Sequence, residues 1–188
     1  QDTLSNGSII TRLRKIYGSA DVILVRHILE HALDTNRFIH SMRGLLTHNG
    51  YMMFELPDSE KIFRANNHAF IWEEHISYFT AASVSQLIKT VDAELVWQCQ
   101  FSYPYEDSLM VLIRFTKAKV VPIETKSAVP EVSAAVLGKF ANGLNTSRKK
   151  WRKKLEDYRI KGEKVALFGA GHLAAKFINF YDLADLID

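Results

Sequence analysis

The segment Trp72-Glu73-Glu74-His75-Ile76-Ser77-Tyr78-Phe79 sets two carboxylates and a histidine inside an aromatic frame. An imidazole beside a carboxylate is a base with its orienting partner, because the carboxylate fixes the tautomer and raises the basicity. One reading is therefore a partly buried acid/base pair, His75 with Glu74. Trp72 and Tyr78 would exclude water or stack on a sugar or base. The other reading is a strand or loop that alternates sides, with charges outward and aromatics inward. Residue types and spacing leave both open.

His27-Ile28-Leu29-Glu30-His31 offers a second chemistry. On a helix, histidines four apart can hold zinc with the glutamate as base. Here the motif directly leaves an apolar strand pattern, and the first helix-capping residue, Asp34, comes after it. The helix that such a zinc peptidase needs is not predicted, and no metal ligand set is assigned. In the competing reading His31 satisfies local main-chain groups and His27 faces solvent. If the strand belongs to a parallel sheet, this loop sits at its carboxyl end, where ligands bind. A ligand-contacting loop is then the better reading.

Two further stretches carry chemistry-bearing residues. Gly169-Ala170-Gly171-His172-Leu173-Ala174 follows an apolar strand pattern and opens a helix. That is the context of a phosphate-cradling turn at a helix N-terminus. The acidic residue that such a turn needs further along would be Asp188. The run RKKWRKK, 148–154, lies in a helical pattern. It reads as a solvated helix anchored by Trp151, with a phosphate-attracting surface as the alternative.

These residues need elements to position them. Residues 20–25 (ADVILV) are a continuous apolar run, predicted to be a strand buried on both faces. Asp34 or Thr35 caps a helix through Leu46, stopped by Asn49-Gly50. Residues 51–56 form a second strand, ended by Pro57. Strand, helix, strand gives a parallel pair. Thr80 caps a helix with Val84, Leu87, Ile88 and Val91 on one face. Residues 94–101 and 108–115 read as an antiparallel pair across a short polar connection. A long helix runs from Glu131 to about Ile160 and ends at Gly162, and 164–168 reads as a strand. The predicted class is α/β, a partial Rossmann-like sheet with an antiparallel terminal hairpin. The predicted division is 1–116, a linker at 117–130, and 131–188, the last being a long helix and the start of a second Rossmann-like domain.

Composition narrows the classes. The chain has 188 residues, 47% of them hydrophobic, and a net charge of +3. That charge is too small to imply nucleic-acid binding without a localised patch. No apolar run approaches the ~20 residues that cross a bilayer, so no membrane partner is expected. The single cysteine, Cys99, provides neither a disulfide framework nor a zinc cluster. A reduced, cytoplasmic protein is expected. The chain starts at Gln1 and stops within a strand-like pattern, so it reads as an internal fragment.

Taken in order, ADVILVRHILEHALD, GYMMFELPD, WEEHISYFT and YEDSLMVLIR resemble the sugar C-methyltransferases. These are S-adenosylmethionine-dependent class I methyltransferases acting on nucleotide-linked keto-deoxysugars. The resemblance spans 20–188, and EHISYF with the appended Gly-Ala-Gly segment is its most specific part. It implies His75 as the base, with Glu74 beside it, removing a proton α to the sugar ketone. The enolate then takes the cofactor's methyl group. It also implies that Arg26, His27 and Ile28 border the cofactor and that Trp72 and Tyr78 face the substrate. Trp72 stands where many members have tyrosine, so a phenol's role there has no counterpart. The family's cysteine-rich zinc segment and G-x-G cofactor loop have no match in these residues, so zinc is expected only in a preceding segment. The resemblance leaves a second class open, a non-catalytic binding module of the same fold.

Overall fold

A computed structural model describes residues 7–104, 106–115 and 132–188. They group into two compact units, 1–60 with 74–131, and 61–73 with 132–188. The predicted linker 117–130 and the predicted helix start, Glu131, lie outside the described residues.

The first unit opens with helix α1 (Gly7–Tyr17), which the sequence reading did not predict. Its buried Ile10 packs at Gly44, where an added Cβ would lie 2.9 Å from the Ile10 Cγ2. Strand β1 (Ala20–Arg26) follows. Helix α2 (Thr35–Arg43) is capped by Asp34, whose carboxylate accepts from the Arg37 N–H at 2.9 Å. Phe38, Ile39 and Met42 form its buried face. Each such side chain contributes roughly 1.5–3 kcal/mol on leaving water.

The helix ends at Gly44, earlier than the predicted Leu46. The reason is strand pairing, because Ala20 donates to the Leu45 carbonyl at 2.8 Å and Leu46 pairs with Ala20. Strand β2 therefore starts at Leu46 and runs through Pro57 to Asp58, longer than the predicted 51–56. Gly50 is not a helix stop. It lies inside β2, where the main chain passes close to Asp21.

Thr80 caps helix α4 (Ala81–Thr90) as predicted, with Ser83 completing a reciprocal capping box. The short helix before it, α3, is Glu60–Ala65. Strands β3 (Glu94–Phe101) and β4 (Asp107–Arg114) pair antiparallel. The sheet order is β1-β2-β4-β3, with β1 parallel to β2 and β4 antiparallel to β2. Met52, Phe54 and Leu56 on β2 and Leu109, Val111 and Ile113 on β4 share the fully buried face.

The prediction that β1 is buried on both faces fails. Val25 is buried, while Val22 is 53% and Leu24 64% exposed. Val22 and Leu24 lie on one face of the strand and Val25 on the other, and only the Val25 face is covered among the described residues.

The second unit collects α3, a 3-10 turn at His68–Phe70 and helices α5 (Ala134–Asn142), α6 (Leu144–Ile160) and α7 (His172–Tyr181). The predicted single long helix is two helices. Gly143 ends α5 and caps α6, and an added Cβ there would lie 2.7 Å from the Lys139 carbonyl and 3.3 Å from the Asn66 Oδ1. Leu155, Tyr181, Leu183 and Leu186 form this unit's core with Ala69. Residues 164–168 do not form the predicted strand. Val165 instead exchanges hydrogen bonds with Asp188, through the Val165 N–H to the carboxylate (2.9 Å) and the Asp188 N–H to the Val165 carbonyl (2.8 Å).

Candidate functional site

At the carboxyl end of β1 the chain turns sharply. Arg26 is the cross-strand neighbour of Glu55 in β2, and the parallel register makes them an ion pair at 2.5 Å. That contact holds the Glu55 carboxyl below its usual range. His27 takes a left-handed φ of +50°, rare for a residue with a Cβ and a mark of a constrained turn. Its N–H donates to the Glu55 carbonyl at 2.9 Å. Its ring lies between two carboxylates, 3.5 Å from Glu30 and 3.4 Å from Glu55. Ile28 is partly exposed at the mouth of the turn.

Residues Leu29–His31 form a single 3-10 turn, not the helix that the H-x-x-E-H zinc pattern needs. That turn faces His27 and His31 differently. His27 is half exposed, whereas His31 has 15% of its side chain exposed. The His31 ring Nδ1 lies 2.9 Å from the Glu74 carbonyl oxygen. A carbonyl only accepts, so Nδ1 carries a proton, and in the neutral imidazole Nε2 holds the lone pair. His31 thus satisfies a main-chain group, though one distant in sequence.

Glu30 is the unexpected member. It is 2% exposed, and neither carboxylate oxygen has a hydrogen-bond partner. Burial lifts its pKa above the ordinary carboxyl value, while His31 and His27 pull it down. Its main-chain carbonyl accepts from the Ile76 N–H (2.9 Å) and the Ser77 N–H (3.0 Å). Those two bonds dock the EHISY segment on the turn. Burial also raises Glu106, with His27 opposing the shift and Glu30 adding repulsion.

The two sequence motifs therefore meet. The His31 and His75 rings are 4.8 Å apart at 80°, and Tyr78 lies 5.7 Å from His75. Glu74 is itself exposed, and the contact it makes here is through its carbonyl. Trp72 belongs to the second unit. It stacks on His172 with centroids 3.8 Å apart, and Lys176 lies 5.7 Å from its ring. Glu73, in the same unit, pairs with Lys176. Glu30, Glu55 and Glu106 were not named as site residues. The H-x-x-E-H spacing pointed at Glu30, but its unpaired burial depends on packing.

In the Gly-Ala-Gly segment, Gly169 has φ +127° and Gly171 caps α7 without a side-chain bond. Asp188, the acidic residue that a dinucleotide turn would use, accepts from Val165 instead. A pocket of about 450 Å³ beside this segment is lined by Phe70, Trp151, Phe168, Phe177 and Lys150, among others.

Residues 5–98 match a methyltransferase domain family, half of the chain. The chain belongs to that methyltransferase domain family. The matched stretch contains Arg26 to His31 and Trp72 to Tyr78, so both halves of the cluster lie within the methyltransferase domain.

Solved structures similar to it include a SAM-dependent methyltransferase from Anabaena variabilis ATCC 29413 (16% identity, TM-score 0.45, covering 60% of this chain and 56% of that one). Another is the N-methyltransferase NodS from Bradyrhizobium japonicum WM9 (20% identity, TM-score 0.38, 52% and 51%). A third is the magnesium protoporphyrin IX methyltransferase from Synechocystis PCC 6803 with bound SAH (10% identity, TM-score 0.41, 55% and 48%). The chain spans about half the length of each of these three. No curated protein matches it significantly. Among the described residues no helix is long and apolar enough to cross a membrane.

Proposed function

We propose that this chain is part of an S-adenosylmethionine-dependent C-methyltransferase acting on a nucleotide-linked keto-deoxysugar, with His75 as the base. The observation that carries the reading is the docking of EHISY on the β1 turn, which brings His75 within 4.8 Å of His31. The residues at that turn suit a cofactor. They end a parallel strand, present Ile28 as an apolar contact, and leave a buried carboxylate, Glu30, without a hydrogen bond. When bound, S-adenosylmethionine supplies an electrophilic methyl group.

Arg26, His27 and Ile28 would border that cofactor. Arg26 is held by Glu55, which fixes the rim of the site. His75 would take the proton from the carbon α to the sugar ketone. Tyr78, beside it, would restrict water and the ring's orientation. Glu74 contributes through its carbonyl, which fixes the tautomer of His31. Trp72, the other residue expected to face the substrate, joins the reading through the family resemblance alone. A reduced, cytoplasmic setting is part of this reading and rests on Cys99 being the single cysteine.

The test is His75→Ala in the whole protein. Methyl transfer should fall by ~10²–10⁴-fold, the usual contribution of a positioned base, while cofactor binding measured by calorimetry stays within about threefold. Turnover at the wild-type rate would remove His75 from the base role.

A further inference from the structure

We infer that Glu30, His31 and His75 form a binding site for a divalent transition-metal ion of the zinc class. The inference goes beyond the methyltransferase reading and stands whether or not that reading holds.

The donor atoms come first. One ligand atom from each of the three residues lies within 4.8 Å of the other two. In a tetrahedral site with bonds of about 2.1 Å, ligand atoms are roughly 3.4 Å apart. Small side-chain rotations close that difference. Two imidazoles and a carboxylate form a borderline-soft set that suits zinc, cobalt and iron over magnesium or calcium.

Two further observations point to a ligand rather than to a chance cluster. Glu30 is 2% exposed, and both its oxygens lack a hydrogen-bond partner. His27 Nδ1 comes only to 3.5 Å of Oε1, from a half-exposed ring. A buried carboxylate left without a hydrogen bond is costly, and a cation would satisfy it. His31 is also set up as a metal ligand. Its Nδ1–H donates to the Glu74 carbonyl at 2.9 Å, which fixes the tautomer and leaves Nε2 as the donor. Metal-binding histidines are held in this way by a partner on the far nitrogen. Nε2 lies 4.0 Å from Glu30 Oε1.

Three protein ligands leave a coordination position for water or a substrate oxygen, as in working rather than structural zinc sites. An ion on His75 uses a ring lone pair that base catalysis would also need. Metal-loaded and base-competent forms are therefore alternatives, and the ion would hold back proton abstraction.

The experiment is calorimetric titration of the chain with Zn²⁺, repeated with Co²⁺ to read the visible absorption of a four-coordinate ion. One ion per chain should bind. Glu30→Gln, His31→Ala and His75→Ala should each weaken it by at least ~100-fold, with circular dichroism unchanged. His40→Ala, exposed on α2, should leave affinity within about threefold, and His27→Ala should weaken it less than His31→Ala. Absence of stoichiometric binding, or binding that survives all three ligand variants, would overturn the site. Loss of binding in His27→Ala as deep as in His31→Ala would also overturn this ligand set, because the ion would then sit on the H-x-x-E-H pair.

Discussion

The Nδ1–H of His31 donates to the carbonyl oxygen of Glu74 at 2.9 Å, across 43 residues of sequence. With the two N–H groups of Ile76 and Ser77 bonded to the Glu30 carbonyl, it makes one site of two motifs. The bonds work in both directions. The turn after β1 holds the EHISY segment, and that segment fixes which nitrogen of His31 carries the proton.

Gly50 has no room for a side chain. A Cβ would lie 3.0 Å from Leu46 Cδ2 and 3.1 and 3.2 Å from the Asp21 and Ala20 carbonyls. Main-chain carbonyls in a strand cannot yield, so Gly50→Ala is expected to cost about 1–3 kcal/mol. Gly138→Ala is the contrast. It sits within α5 with nothing within 4 Å, and should gain ~0.5–1 kcal/mol through helix propensity. Urea unfolding midpoints read both. Equal shifts for the two variants would mean that the β1–β2 approach is not as tight as described.

Asp58 gives the fold a pH dependence. It is fully buried, its Oδ1 accepts from the Glu60 N–H at 3.0 Å, and its Oδ2 has no partner. Burial raises its pKa, with Glu60 and Asp107 adding repulsion. The native chain therefore holds this proton to higher pH than the unfolded chain. Stability from this group is full below the unfolded pKa and is lost as pH rises through the folded one. Asp58→Asn keeps the acceptor and removes the titration. The variant should match the wild type near pH 4 and exceed it in Tm by about pH 7, above the ordinary carboxyl range. A wild-type Tm that rises relative to Asp58→Asn over this interval would contradict the assignment.

The basic run in α6 is two kinds of surface. Arg152 bonds both Asp185 oxygens at 2.9 Å, Arg159 donates to the Asp185 carbonyl at 2.8 Å, and Arg148 donates to the Phe180 carbonyl at 3.0 Å. Lys153 pairs with Asp157 one turn along in the open, a contact of small value. Arg152→Ala should lower the Tm measurably, Arg152→Lys should restore only part of it because ammonium lacks the fork, and Lys153→Ala should change little. A run that is solvated throughout would show no difference between Arg152→Ala and Lys153→Ala.

Local signals were legible where the physics is local. Asp34 and Thr80 cap their helices because a side-chain oxygen reaches an N–H three residues on, whatever the rest of the chain does. The antiparallel hairpin of β3 and β4 was likewise readable. Signals that depend on a partner misled. The apolar run of β1 looked buried on both faces, yet burial depends on what packs against each face, and the face of Val22 and Leu24 is open among the described residues. The 164–168 pattern looked like a strand, but a strand forms only with a neighbour, and Val165 found Asp188 instead. One long periodicity spanned α5 and α6, although Gly143 breaks it where Asn66 comes close.

By itself, then, the sequence determined the class, the caps, most strands and the two motifs that could do chemistry. Each depends on residue type and short-range spacing. Tertiary structure alone decided that the motifs meet, that Glu30 is buried without a hydrogen bond, and that Trp72 stacks on His172 in the other unit while Tyr78 stays with His75. Burial and pairing are properties of two surfaces at once. No stretch of one surface encodes them until the chain has brought the other against it.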